Sequence, residues 1–311
     1  VHEAWQARTS RHSRSRDQIH EAIQRGTVMI DTDGAVIGQT NGLTVVQLGD
    51  FSYGVPTRIT ATTRLGEGVV IDIERETELG GPIHSKGVFI LSSFLGARYA
   101  RNMPLSLAAS ITFEQSYSTI EGDSASLAEL CALLSSLADI PIDQSLGITG
   151  SINQLGLVQA IGGVNDKIEG FFDICRQRQL NGHQGVIIPA ANIEHLMLRE
   201  DLMGQARSGQ FSVYPVSKVD EAIELLTGMQ AGEENEHGLF PEALSTSGYR
   251  PGWHNWLTFT RTSIHRNTAS NGPASVNTSQ SEQGAINEHN TDDFTGYGIH
   301  RHTAGACSRR I

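Results

Sequence analysis

Two periodicities alternate along this chain, and they meet near its centre. From Leu127 to Ile140 apolar residues recur at Leu130, Cys131, Leu134, Leu137 and Ala138, the three-four spacing that predicts a helix facing a core. Just upstream, Leu105, Leu107, Ala109, Ile111 and Phe113 alternate with Ser106, Ala108, Ser110, Thr112 and Glu114, which predicts a strand with one buried face. Between them, Glu121-Gly122-Asp123-Ser124-Ala125-Ser126 reads as a tight turn delivering a serine to the start of the helix. Elsewhere, strands are predicted at Thr27 to Asp31, Leu43 to Leu48 after an Asn41-Gly42 turn, Arg58 to Thr63, and Gly68 to Glu74. A packed helix is expected from Ser85 to Ala100, stopped by Pro104. Two short strands at Leu146 to Ile152 and Leu155 to Ile161 follow the central helix.

Beyond Gly162-Gly163 a helix places Val164, Ile168, Phe171, Phe172 and Cys175 on one stripe. A strand at Gly185 to Ile188, a helix at Asn192 to Leu198, a strand at Phe211 to Val216 and a helix at Val219 to Leu226 complete an alternating order, which indicates an α/β domain. Residues 1–26 read as the end of a helical region, and 27–228 as the folded domain. Residues 229–311 are rich in Ser, Thr, Asn, Gly and His without period, so a poorly structured tail is expected there.

Composition narrows the function. The 311 residues carry a formal charge of −11, which argues against general nucleic-acid binding. No apolar run approaches a membrane span. Cys131, Cys175 and Cys307 lack metal-type spacing, and two of them sit inside helical apolar patterns, so buried thiols in a reducing, cytoplasmic compartment are expected. No Walker-type phosphate loop occurs, and the glycines of Gly66-Glu67-Gly68 read as turn residues. No metal or cofactor is expected in this chain.

The candidate chemistry lies in one serine and one lysine. Ser126 with Glu129 fits a capping box, so its hydroxyl either closes the helix or stands at the positive helix end as a nucleophile. Lys167, 41 residues further on, borders the apolar stripe of its helix. Either its stem packs while its amine reaches water, or burial lowers its pKa enough for a neutral amine to act as a base. Together they make a candidate Ser-Lys dyad. His84, His183 and His195 are expected in loop or solvated settings, which leaves a Ser-His-Asp arrangement without support.

Taken with Gly26 to Gly34, Gly38 to Leu43 and Ile83 to Val88, the stretches Glu121 to Ser126 and Gly162 to Lys167 make the block from Gln18 to Gly228 resemble the proteolytic domain of Lon proteases. The resemblance is closer to the archaeal-type, membrane-associated branch and its bacterial relatives. It implies a Lon-type mixed α/β peptidase fold, with Ser126 as nucleophile and Lys167 as general base. Asp123 is implied as an acidic neighbour that orients or pairs with Lys167, Thr149 as a hydroxyl near the amine, and Glu114 as a further polar position. It also implies a homo-oligomer, a hexameric ring in the family, acting on unfolded polypeptides. ATP and Mg belong to an ATPase region of which residues 1–26 are the expected remnant. The alternative is a non-catalytic oligomerisation or substrate-holding module on the same fold.

Overall fold

The computed structural model describes residues 13–66, 69–99, 107–229 and 231. A seven-stranded mixed sheet runs through the described residues, in the order β11-β10-β7-β2-β3-β5-β4. Its strands are β2 (Gln39–Leu48), β3 (Phe51–Leu65), β4 (Val69–Asp72), β5 (Leu107–Phe113), β7 (Leu146–Ile148), β10 (Gly185–Pro189) and β11 (Ser212–Val216). One half is parallel, with β2, β7, β10 and β11 side by side. The other half is antiparallel from β2 to β3 to β5, closed by a parallel β4. Short pairs β1 (Ala35–Ile37) with β6 (Pro141–Asp143), and β8 (Ser151–Ile152) with β9 (Val158–Gln159), lie outside this sheet.

Alternation along the strands separates two helical layers. On β10, Ile187 joins a core formed with α3 (Pro82–Tyr99), α4 (Ser126–Ala138) and α7 (Val219–Thr227). Its neighbours Val186 and Ile188 join a second core with Leu43 and with Ile168 and Phe171 of α5 (Val164–Gln177). Successive side chains of a strand point to opposite faces, so α4 and α5 cover opposite sides of the sheet. Helix α4 is buried nearly all round, consistent with its central place in the larger core. Helix α1 (Arg14–Gln24) docks on α5 through Ile23, Ile30 and Ile174.

Several expected elements fold differently. Thr27 to Asp31 forms no strand, because the N–H groups of Thr27 and Val28 donate to the Ala22 carbonyl at the end of α1. Met29 N–H goes to the Gln115 side chain instead of a ladder. Asn41-Gly42 lies within β2, paired with Arg58 and Thr57, and the Asn41 amide bridges the carbonyls of Asp31 and Gln144. Strand β3 begins at Phe51, well ahead of the expected Arg58, and ends at Leu65, just past Thr63. Glu74 falls in a short helix, α2 (Ile73–Glu76), after β4. The segment near Asn192 is a 3-10 turn, Ala190–His195, and α6 (Glu200–Arg207) follows it unforeseen. Cys131 and Cys175 are buried free thiols. Cys307, Pro104, Glu67-Gly68, residues 1–12 and the expected tail from 232 lie outside the described residues. No described helix is long and apolar enough to cross a membrane.

Candidate active site

The site forms just past the carboxyl end of β7, where the two helical layers meet. On β7, Leu146 and Ile148 face the larger core, while a side chain at Gly147 would meet Phe171 of α5. Thr149 continues that alternation and is turned toward α5. Lys167 comes from the first turn of α5, and the serine turn 121–125 comes from the opposite layer, ahead of α4.

Lys167 Nζ donates to Ser124 Oγ at 2.8 Å and to Thr149 Oγ1 at 3.0 Å. Thr149 Oγ1 in turn donates to the Ser124 carbonyl at 3.1 Å, so one hydroxyl ties the amine to the serine backbone. The Gly150 N–H donates to the same carbonyl at 2.8 Å and fixes the turn. Lys167 is 3% exposed, and burial brings its pKa down to about 8, against an opposing pull from the Asp123 charge. An amine in that range exchanges its proton near neutral pH.

The lysine reaches this depth because α5 lies directly on β3. A Cβ on Gly54 of β3 would fall 2.0 Å from the Asp166 carbonyl oxygen and 2.7 Å from Lys167 Cα. A Cβ on Gly170, one turn later, would fall 2.1 Å from the Gly54 carbonyl oxygen. Ser52 Oγ also donates to Asp166 Oδ2 at 2.9 Å.

The expected residues are brought together only in part. Ser126 is not the serine that meets Lys167. Its Oγ accepts the Ile152 N–H at 3.1 Å, and the residue is 1% exposed. A hydroxyl sealed there has no room for a substrate carbonyl. Nor does Ser126 build the expected capping box: the N-cap is Ala125, and Glu129 turns to His84 instead. Ser124, two residues earlier, is partly exposed and sits just ahead of the positive end of α4.

Asp123 forms no ion pair with Lys167. Ser151 Oγ donates to its Oδ2 at 2.8 Å, and its charge acts on the amine from farther away. Thr149 lies against the amine. Glu114 does not join the group, since Thr60 Oγ1 donates to its Oε1 at 2.8 Å on the neighbouring strand. His84 is neither in a loop nor solvated, because it is buried within α3 beside Asp72 and Glu129.

One signal for Ser124 was present in the sequence. Stepping back four residues from Leu134 and Leu130 lands on Ser126, which places it on the buried stripe of α4. Ser124 precedes the helix and is free of that face.

Residues 115–228 match the Lon protease (S16) C-terminal proteolytic domain. The chain is 46% identical over 215 residues to a protein described as a Lon protease homolog from Escherichia coli (strain K12), an alignment covering 68% of this chain and 37% of that one. It is 44% identical over 234 residues to a similarly described protein from Haemophilus influenzae, covering 75% and 39%. Over 194 residues it is 31% identical to an archaeal Lon protease from Archaeoglobus fulgidus, covering 62% and 28%. The chain thus spans under two fifths of the length of these relatives.

Proposed function

This chain belongs to the Lon protease family, and from that premise we propose that it is a serine endopeptidase in which Ser124 is the nucleophile and Lys167 the general base. The observation that carries the reading is the 2.8 Å contact between Lys167 Nζ and Ser124 Oγ, made by a buried lysine. When the amine is neutral, the direction of that hydrogen bond reverses and the hydroxyl donates to it. As Ser124 Oγ attacks a peptide carbonyl, its proton passes to Nζ, and Nζ then delivers it to the leaving amine. Water, deprotonated by the same amine, hydrolyses the acyl-serine and restores the hydroxyl. The charge that develops on the carbonyl oxygen is favoured by the positive end of α4.

Thr149 orients the amine, and Asp123 tunes it through charge. The wider reading follows the family. Residues 27–228 are the proteolytic domain of an ATP-dependent protease, a homo-hexameric, cytoplasmic ring that degrades unfolded polypeptides. ATP and Mg act in its ATPase region.

Hydrolysis of an unstructured fluorogenic peptide tests the chemical core. Ser124→Ala and Lys167→Ala should each abolish turnover in a folded protein. Undiminished turnover in either variant would overturn the reading, and a stable ring inert toward all peptides would favour a holding module.

A further inference from the structure

The stretch Ile83 to Val88, which plays no part in the proposed chemistry, carries His84 into a second buried polar cluster. Asp72 ends β4, Glu74 lies in α2, His84 opens α3, and Glu129 lies in the first turn of α4. All four are buried, Asp72, His84 and Glu129 at 1% exposure. One ligand atom each from Asp72, Glu74 and His84 lies within 4.8 Å of the others. His84 Nε2 is 3.3 Å from Asp72 Oδ2 and 3.8 Å from Glu129 Oε1.

The cluster is incomplete as a protein-only network. Thr112 Oγ1 and the Phe113 N–H both donate to Glu74 Oε1, at 2.9 and 2.8 Å, which fixes the carboxylate and leaves Oε2 without a partner. Asp72 Oδ2 and Glu129 Oε1 likewise have no hydrogen-bond partner. Asp72 meets His84 Nε2 through both oxygens, at 3.5 and 3.3 Å, while Glu74 Oε2 and Glu129 Oε1 stay unpartnered in the interior beside this pair. With every group ionised the cluster carries three negative charges and one positive, and buried charge of that kind needs a counter-charge.

We infer that Asp72, Glu74 and His84 bind one divalent first-row metal cation of the zinc or manganese class, with Glu129, whose Oε1 is 3.8 Å from His84 Nε2, as the neighbouring carboxylate that can move in as fourth ligand. Bonds of about 2.0–2.2 Å at tetrahedral angles put neighbouring ligand atoms about 3.3–3.6 Å apart, close to the distances around His84 Nε2. Calcium, with six to eight oxygen ligands at longer range, does not suit three carboxylates and a nitrogen. A doubly charged ion with neutral imidazole cancels two of the three carboxylate charges, and Glu129 can keep or lose its proton. This proposal departs from the sequence reading, which expects no metal in this chain.

The cation's place gives it a positioning role. It joins β4 and α2 to α3 and α4, the two helices that hold the serine turn. Gly87, three residues beyond His84, packs so closely that a Cβ there would lie 3.3 Å from Asp123 Cβ and 3.5 Å from Ser126 Cβ. Glu129 lies one turn beyond Ser126. Binding of the ion does not rest on the peptidase reading, and only its consequence for the serine turn does.

The alternative is a cluster neutralised by protons. Burial, opposed by His84 and reinforced by the Asp72 and Glu74 charges, pushes the Glu129 carboxyl up to about 8. Metal analysis of the full chain, purified without chelators, separates the two. The expected result is about one equivalent of metal per chain, lost after chelator treatment and restored by Zn²⁺, Co²⁺ or Mn²⁺. The Co²⁺ form should show ligand-field absorption of a four-coordinate site, and reloading should raise the melting temperature of wild type by several degrees. Asp72→Asn and His84→Asn should reduce bound metal at least tenfold, while Lys167→Ala keeps it. A wild type that retains less than a tenth of an equivalent and gains no thermal stability from any of the three ions would overturn the proposal. That comparison uses wild type alone and stands even if the variants fail to fold.

Discussion

Lys167 Nζ lies 2.8 Å from Ser124 Oγ, whereas the hydroxyl of Ser126, two residues on, accepts a hydrogen bond from the Ile152 N–H. The two serines of one turn thus have separate tasks. Ser124 meets Lys167 at the partly exposed side of the turn, and Ser126 closes the buried side against β8.

Replacing Ser126 by Ala leaves the Ile152 N–H buried without an acceptor, which costs about 1–3 kcal/mol. Urea unfolding should show that loss. Peptide cleavage should persist in the folded fraction, with kcat close to wild type.

On the proposed mechanism, the lysine sets the pH dependence of turnover. Its folded pKa is lowered to about 8 by burial, so kcat/KM should rise with pH through that value and level off above it. The Asp123 charge pulls this pKa upward. Asp123→Asn should therefore move the midpoint to lower pH, and an unmoved or raised midpoint would contradict the charge assignment.

Stability responds to the same group. A lysine depressed from 10.5 to about 8 in the folded state disfavours folding fully below pH 8, where both states bind the proton. Between about 8 and 10.5 the unfolded chain binds more protons, so stability rises with pH across that window. The pH-dependent difference between wild type and Lys167→Met should be about 3 kcal/mol, read by denaturant unfolding on either side of it.

Much of this architecture is written in the sequence, and the exceptions have physical causes. The helix from Leu127 and the strand ending at Phe113 are legible because each has one buried face and a clean period. The helix bearing Lys167 is legible for the same reason. Strand β3 is masked by Gly54 and Pro56, which argue locally against a strand, although Gly54 is needed for the approach of α5. Asn41-Gly42 mimics a hairpin turn, but the Asn41 amide is spent on two distant carbonyls. Ser126 and Glu129 match a capping box along the sequence, a local pattern the structure does not build, because Ala125 is the N-cap and Glu129 turns to His84. The cluster around His84 draws on four elements, and no spacing along the chain announces it.

Gly54 tests how the lysine is positioned. A methyl group at residue 54 meets backbone at 2.0 Å, so helix α5 must shift or the strand must bend. Gly54→Ala should lose about 3 kcal/mol of stability by overpacking, and its folded fraction should lose turnover because the amine is displaced from Ser124. Full activity in a folded Gly54→Ala protein would show that the close approach is dispensable.

Thr149→Val removes the hydroxyl that holds both the amine and the Ser124 carbonyl. Loss of about 1.4 kcal/mol of orientation corresponds to about a tenfold fall in kcat, with KM little changed. The apparent pKa should fall, since the threonine oxygen favours the ammonium. Thr149→Ser should restore both.

The most direct measurement maps the residue acylated by a serine-directed probe, by peptide mass spectrometry of wild type, Ser124→Ala, Ser126→Ala and Lys167→Ala. The account predicts an adduct on Ser124 in wild type and in Ser126→Ala, and none in the other two. An adduct on Ser126, or labelling of Ser124 that is indifferent to Lys167, would contradict it.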